Sequence, residues 1–214
     1  MSRQREEYVR PVVKGITPNQ RDYLNKIKSN TIIIAIGPAG TGKSYVSVAS
    51  AAEALYNHSI KKVIVTRPAV EAGERLGFLP GDLDDKFSPY LVPVKEIFEK
   101  MLGVPSTEKY IRGGFIEAVP LAYLRGRTFD DCWVILDEAQ NTTPEQMKMF
   151  VTRLGQNAKL MINGDTTQRD IYKACGLSAA ISKLNGLAGI AIAELDSDDI
   201  VRSELVKGIL HRWP

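Results

Sequence analysis

An apolar run that breaks into glycines and ends on Lys-Ser, "IIIAIGPAGTGKS" from Ile32 to Ser44, leaves few folds open to this chain. Gly37, Gly42, Lys43 and Ser44 satisfy the spacing G-x-x-x-x-G-K-[ST]. In that pattern a strand delivers a loop, glycines let successive N–H groups turn inward, and the following helix points its positive end at phosphate. The flanks agree, with β-branched residues before the loop and the helix-patterned "SYVSVASAAEALYN" after it. Gly37, Pro38, Ala39, Gly40, Thr41, Gly42, Lys43 and Ser44 are therefore candidate phosphate ligands, Lys43 reaching the β- and γ-phosphates and Ser44 holding Mg²⁺.

A strand ending in such a loop needs a sheet around it. "KKVIVTRP", "DDCWVILDE" and "KLMINGD" are compact apolar runs that end in polar turns, and "GIAIAELD" from Gly189 is a further one. Runs apolar on both faces suit buried strands of a parallel sheet. "PEQMKMFVTRL" and "LSAAISKLNG" supply helical patterns between them, so the predicted fold is α/β, doubly wound and mostly parallel, with ligands at the carboxyl ends of the strands.

A chain of 214 residues suits one core. Residues 1–15 read as an N-terminal arm and 16–214 as a single domain, whose first helix starts with Thr17 as cap and Pro18 at the first position, followed by Tyr23, Leu24 and Ile27 at helical spacing. Residues 68–120, rich in glycine and proline, interrupt the alternation; they read as an insertion on the ligand face with a helix near Val94 to Met101 and a strand-like "FIEAV". Ile200, Leu205 and Ile209 have the spacing of a closing helix.

"VILDEAQN" places two acids at a strand end: Asp137 to hold Mg²⁺ through water and Glu138 to polarise the attacking water. Either acid alone would read equally well as a helix cap or a solvated strand end; the pair, downstream of a phosphate loop, reads as catalytic. In "INGDTTQRD", Asp165 and Gln168 are placed to sense the γ-phosphate or the lytic water, or else form an ordinary polar turn.

The order "ITPNQRDYL", "GPAGTGKS", "VTRPAVEAGERLGFLPGDLDDK", "LAYLRGRTF", "VILDEAQNTT", "NGDTTQRD" and "VRSELVK" resembles the PhoH-like proteins, whose domain is similar to the first motor domain of superfamily 1 helicases. The resemblance runs from Ile16 to Lys207 and implies a RecA-like P-loop NTPase sheet. It also implies that Gln20 reads adenine, favouring ATP, that Asp137 and Glu138 form the Walker B pair, and that Gln168 couples nucleotide state to a nucleic-acid strand. Arg169, where an aliphatic residue is usual, and Cys175, where serine is usual, depart from the pattern. No separate nuclease domain is expected within these residues.

A helicase of that class closes two cores on one ATP, the second supplying an arginine that can contribute about 10³ to 10⁵ in rate. With one core here, the expectation is a homo-oligomeric ring, a hexamer by resemblance, with Arg202 as the arginine acting on the neighbouring site and Arg169 or Arg153 as alternatives. Expected partners are further copies of the chain and single-stranded nucleic acid, RNA favoured, contacted by Arg67, Arg125 and Arg127; Tyr123 and Phe129 fit either base stacking or local core.

A net charge of +3 permits such contacts without requiring them. Cys132 and Cys175 read as buried reduced thiols. With no apolar leader and no run of about 20 apolar residues, a soluble, cytoplasmic protein without membrane partners is expected. The predicted function is a Mg²⁺-dependent ATPase working as a ring-forming, helicase-like motor on RNA or other single-stranded nucleic acid; a nucleotide-dependent switch controlling a protein partner is the alternative, and a small-molecule kinase fits less well because Glu138 and Gln168 suit water activation.

Overall fold

Alternation of side chains along the strands sorts the core into two layers. The computed structural model describes residues 12–68, 83–166, 174–201, 205 and 212, with the backbone alone over 83–91. Strands β1 (Ile32–Ile36), β2 (Lys62–Arg67), β3 (Ile116–Pro120), β4 (Cys132–Leu136), β5 (Lys159–Gly164) and β6 (Ile190–Glu194) form one sheet in the order β3-β2-β4-β5-β1-β6. Every pairing among them is parallel. The helices are α1 (Pro18–Ser29), α2 (Lys43–Tyr56), α3 (Leu83–Leu102), α4 (Val104–Arg112), α5 (Pro144–Val151) and α6 (Gly176–Leu184).

Ile33, Ala35, Val63, Val65, Ile135 and Met161 bury one face of the sheet in a cluster with Tyr23, Val48, Phe98 and Met101 from α1, α2 and α3. Their strand neighbours Ile32, Ile34, Ile64, Val134, Leu136, Leu160 and Ile162 bury the other face with Met147, Phe150, Leu177 and Ala180 from α5 and α6. Each such side chain contributes about 1.5–3 kcal/mol on burial, which is why continuous apolar runs rather than alternating ones mark these strands. The doubly wound parallel α/β architecture expected from the sequence is the one observed.

Local chemistry sets the helix starts. The Thr17 hydroxyl accepts the Gln20 N–H at 3.2 Å with Pro18 in the first turn of α1, and Thr143 and Gln146 form a reciprocal capping box on α5.

The stretch after β2 interrupts the alternation as expected, with 83–120 as its described part. It supplies the expected helix, α3, which packs on α2, and the strand-like "FIEAV", β3, which joins the sheet edge in register with β2, Val63 opposite Ile116. The strand therefore reads as a short amphipathic edge, with only Ile116 fully buried. Residues 69–82 lie outside the described residues. Leu205, expected on a packed helical face, is helical and 75% exposed, while Ile209 lies outside the described residues. No helix among the described residues is long and apolar enough to cross a membrane. Both cysteines are buried free thiols, and burial first of all pushes Cys132 up to about 11, which leaves it protonated and inert.

A buried polar chain ties three elements together under the glycine-rich loop. The Tyr23 hydroxyl donates to Asn163 Oδ1 at 2.8 Å, Asn163 Nδ2 donates to Ser47 Oγ at 2.8 Å, and Ser47 Oγ donates to the Ser44 carbonyl at 3.1 Å. Burial pushes the Tyr23 phenol up, so it stays a donor. Tyr23→Phe removes that donor and is expected to cost about 1–3 kcal/mol, read as a lower denaturant midpoint; an unchanged midpoint would mean that Asn163 finds another donor.

Candidate nucleotide site

The carboxyl ends of β1, β4 and β5 open on one cleft of about 760 Å³, lined by Gln20, Ala39, Gly40, Gly42, Lys43, Ser44, Asp137, Glu138, Gly164 and Asp165 among others. Strand order makes this cleft: β5 lies between β1 and β4, so Asp165, the first residue past β5, stands between the glycine-rich loop and the paired acids.

The glycine-rich loop needs its glycines for two reasons. Gly37 has φ +151°, and a Cβ there would lie 2.3 Å from the Leu195 carbonyl oxygen. Gly42, with φ +87°, sits at the amino end of α2, where a Cβ would press Gln20 Nε2 at 3.0 Å. Among the described residues no side chain caps α2, so its first-turn N–H groups face the cleft, as an anion site requires. Lys43 Nζ donates to the carbonyls of Gly37 at 2.6 Å and Pro38 at 2.7 Å. Burial pushes the Lys43 ammonium down from its ordinary value, opposed by Asp165, Asp137 and Glu138, so an arriving anion would favour its charged form.

Ser44 and Asp137, distant in sequence, meet here: the hydroxyl donates to Asp137 Oδ1 at 2.8 Å. One hydroxyl and one carboxylate converging beside a phosphate loop fit Mg²⁺, which takes its remaining ligands from phosphate and water. Among the described residues no cluster of three or more acidic, His or Cys side chains is placed to hold a metal ion.

Glu138 is exposed and holds φ 56°, ψ 41°. The other non-glycine residues at positive φ among those described are His58, Asp131 and Asn157, types that tolerate the left-handed region in turns. Glutamate is not such a type, so about 1–3 kcal/mol of backbone strain is retained at this position, as it is at working sites. Gln140, 2% exposed, donates from Nε2 to Glu138 Oε2 at 2.7 Å and accepts the Asp165 N–H at 3.0 Å, bracing both acids. Sequence reasoning assigned Gln140 nothing, because its role depends on β5 lying beside β4.

Gln20 is 3% exposed; its Oε1 accepts the Ile16 N–H at 2.9 Å and its Nε2 donates to the Thr41 carbonyl at 2.9 Å. One lone pair and one hydrogen remain, the two an adenine N6 and N7 would use. Gln168, Arg169 and Arg202 lie outside the described residues. Val201, next to Arg202, donates its N–H to the Gly40 carbonyl of the same chain at 3.2 Å.

The residues expected to meet nucleic acid divide. Arg67 is ion-paired with Asp137, its Nη2 at 2.5 Å from Oδ2, beside the cleft that Asp137 lines. Arg127 forks onto Glu117 at 2.6 and 3.0 Å, so its donors serve the fold; Arg125 is exposed. Phe129 is 1% exposed and packs on Phe150 with ring centres 6.0 Å apart, whereas Tyr123 is 55% exposed. Arg153 stands at the amino ends of β4 and β5, its carbonyl accepting the Phe129 N–H.

The Arg127 hydrogen bonds, opposed by burial and aided by Lys62, hold Glu117 down at about 2. Because the folded carboxyl titrates below the ordinary value near 4.3, its pairing stabilises the fold above that pH and the contribution fades as pH falls toward 2. Arg127→Ala is expected to move the acid-unfolding midpoint to higher pH without altering strand binding; an unmoved midpoint with weakened binding would return Arg127 to the strand.

A sequence model of the PhoH-like protein family matches residues 12–213. The PhoH-like protein of Bacillus subtilis is 53% identical over 199 residues, covering 92% of this chain and 62% of that protein. The PhoH-like protein of Mycobacterium tuberculosis is 49% identical over 203 residues, covering 94% and 58%, and Protein PhoH of Escherichia coli is 45% identical over 198 residues, covering 91% and 56%. The chain thus spans about three fifths of the length of these relatives. Among solved structures, the UvsW helicase of bacteriophage T4 matches at TM-score 0.53 and 13% identity over 84% of this chain and 60% of that one. The DUF1998 helicase MrfA bound to DNA matches at TM-score 0.50 and 11% identity over 84% and 27%, a likeness of fold.

Proposed function

The chain belongs to the PhoH-like family, and from that premise we propose that it is a Mg²⁺-dependent ATPase whose cleft works as a helicase-like motor on single-stranded nucleic acid, RNA favoured. The observation that carries the reading is the contact of Ser44 with Asp137 at the mouth of the phosphate loop, with Glu138 beside it. Gln20 orients adenine; the loop N–H groups and Lys43 hold the phosphates. Ser44 and Asp137 would hold the metal, which would supply neutralisation of charge on the phosphates. Glu138, braced by Gln140, takes the proton of the attacking water at its carboxylate.

The domain proposed to do this is residues 16–214, preceded by an arm over 1–15. Among the described residues lining the cleft the cations are Lys14, Lys43 and Lys100. We place the transition-state arginine on a neighbouring copy in a ring, taken as a hexamer, with Arg202 as the residue. Mixing Lys43→Ala with Arg202→Ala protein is the test: two inactive parents regain partial turnover if the arginine acts across an interface. No recovery, with Val201 already beside its own Gly40, would make it act within the chain.

The function as a whole is tested by ATP turnover with and without single-stranded RNA over a salt series. Stimulation that falls as salt rises is expected. Turnover indifferent to RNA and DNA, with a protein partner captured only in the ATP state, would establish the switch reading instead.

A further inference from the structure

Asp137 does two jobs at once. Its Oδ1 accepts from Ser44 at 2.8 Å, and its Oδ2 is taken by both Arg67 Nε at 3.1 Å and Nη2 at 2.5 Å. The carboxylate side chain is 5% exposed and the guanidinium 20%, so this is a largely desolvated pair at the carboxyl ends of adjacent strands. The backbone fixes it there: β2 and β4 pair with Thr66 opposite Leu136, and the Asp137 N–H donates to the Thr66 carbonyl at 2.9 Å. A carboxylate this buried needs a positive partner; Arg67 is ion-paired with it, while Lys43 acts on it only through its charge.

We propose that Arg67 is an exchangeable counter-ion of Asp137, competing with a divalent cation for the same carboxylate. This rests on reading Asp137 as a metal anchor. Asp137 keeps its charge compensated by Arg67 until Ser44 and Asp137 together engage a cation. A second positive charge on the same carboxylate repels the guanidinium and weakens its hold on Oδ2, which favours its release. Two consequences follow. Cation affinity of the protein alone is held down, which ties metal entry to the nucleotide phosphates that bring further ligands; and cation binding frees one positive charge at the end of β2.

The test is titration of the protein with Mn²⁺ alone, followed by electron paramagnetic resonance. Arg67→Gln is expected to bind Mn²⁺ about tenfold more tightly than the parent. Arg67→Lys, which keeps the charge without the fork, is expected to fall between them and guards against a misfolded Gln variant. Arg125→Gln removes an equal charge at an exposed site and is expected to leave the affinity unchanged. Equal affinity of parent, Arg67→Gln and Arg67→Lys, or equal tightening by Arg125→Gln, overturns the proposal. Thermal melts give a second readout: in chelator Arg67→Gln should melt below the parent, and Mn²⁺ should raise its midpoint more than the parent's; the reverse order counts against exchange. The anchor reading fails separately, if Asp137→Asn binds Mn²⁺ with ADP as tightly as the parent.

Discussion

Glu138→Gln is expected to slow ATP turnover by about 10²–10⁴-fold while leaving ATP bound. The amide keeps the size and the Gln140 contact of the acid but cannot accept a proton from water. The same left-handed backbone, φ 56°, is demanded of both side chains, so the strain and the fold are unchanged by the substitution. Single-turnover kinetics with ATP in place, alongside binding of a fluorescent nucleotide, separates the two effects. Parent-like turnover would remove Glu138 from the chemistry, and a parallel loss of binding would recast it as a ligand of the nucleotide. Gln140→Ala supplies the companion measurement: loss of the brace should lower kcat with little change in KM, because Gln140 acts through Glu138 and Asp165 and not on the nucleotide.

Lys43→Ala is expected to have the next largest effect, about 10²–10³-fold on turnover together with loss of ATP affinity. In the structure its ammonium is satisfied by the Gly37 and Pro38 carbonyls, so the charge is stored in the loop at the place where phosphate oxygens would bid for it. Burial already disfavours that charge, and the three acids around it sustain it. Equilibrium binding of labelled ATP in Mg²⁺ checks the affinity, and circular dichroism checks the fold. Unweakened ATP binding by a folded Lys43→Ala protein would end the phosphate-loop reading of Gly37 to Ser44.

The arginines show where inference from sequence stopped. Arg67, Arg125 and Arg127 each stood beside a candidate ligand face, and nothing in local composition separated them. In the fold Arg67 meets an acid on the neighbouring strand, Arg127 meets Glu117 on β3, and Arg125 meets solvent. Ion pairing is decided by which strands are neighbours, and that is a long-range property. Phe129 and Tyr123 parted in the same way, one filling core against Phe150 and the other exposed.

Within the 68–120 stretch, the part the sequence left open was the place of its strand. "FIEAV" lacks the continuous apolar run of an interior strand because β3 is an edge, paired on one side only. Its membership of the sheet is carried by backbone register with β2 and by α3 packing on α2, neither of which leaves a periodic trace in the short strand itself.

By itself the sequence determined the layered α/β architecture, and it located the glycine-rich loop with Lys43 and Ser44 and the adjacent acids Asp137 and Glu138, because spacing within a loop and apolarity along a strand are local properties. Only the tertiary structure decided that β5 runs between β1 and β4, that Gln140 braces Glu138 against Asp165, and that Arg67 holds Asp137. The side-chain contacts among these join residues as far as 70 positions apart, and their energies arise from burial and charge pairing that exist only once the strands have taken their order.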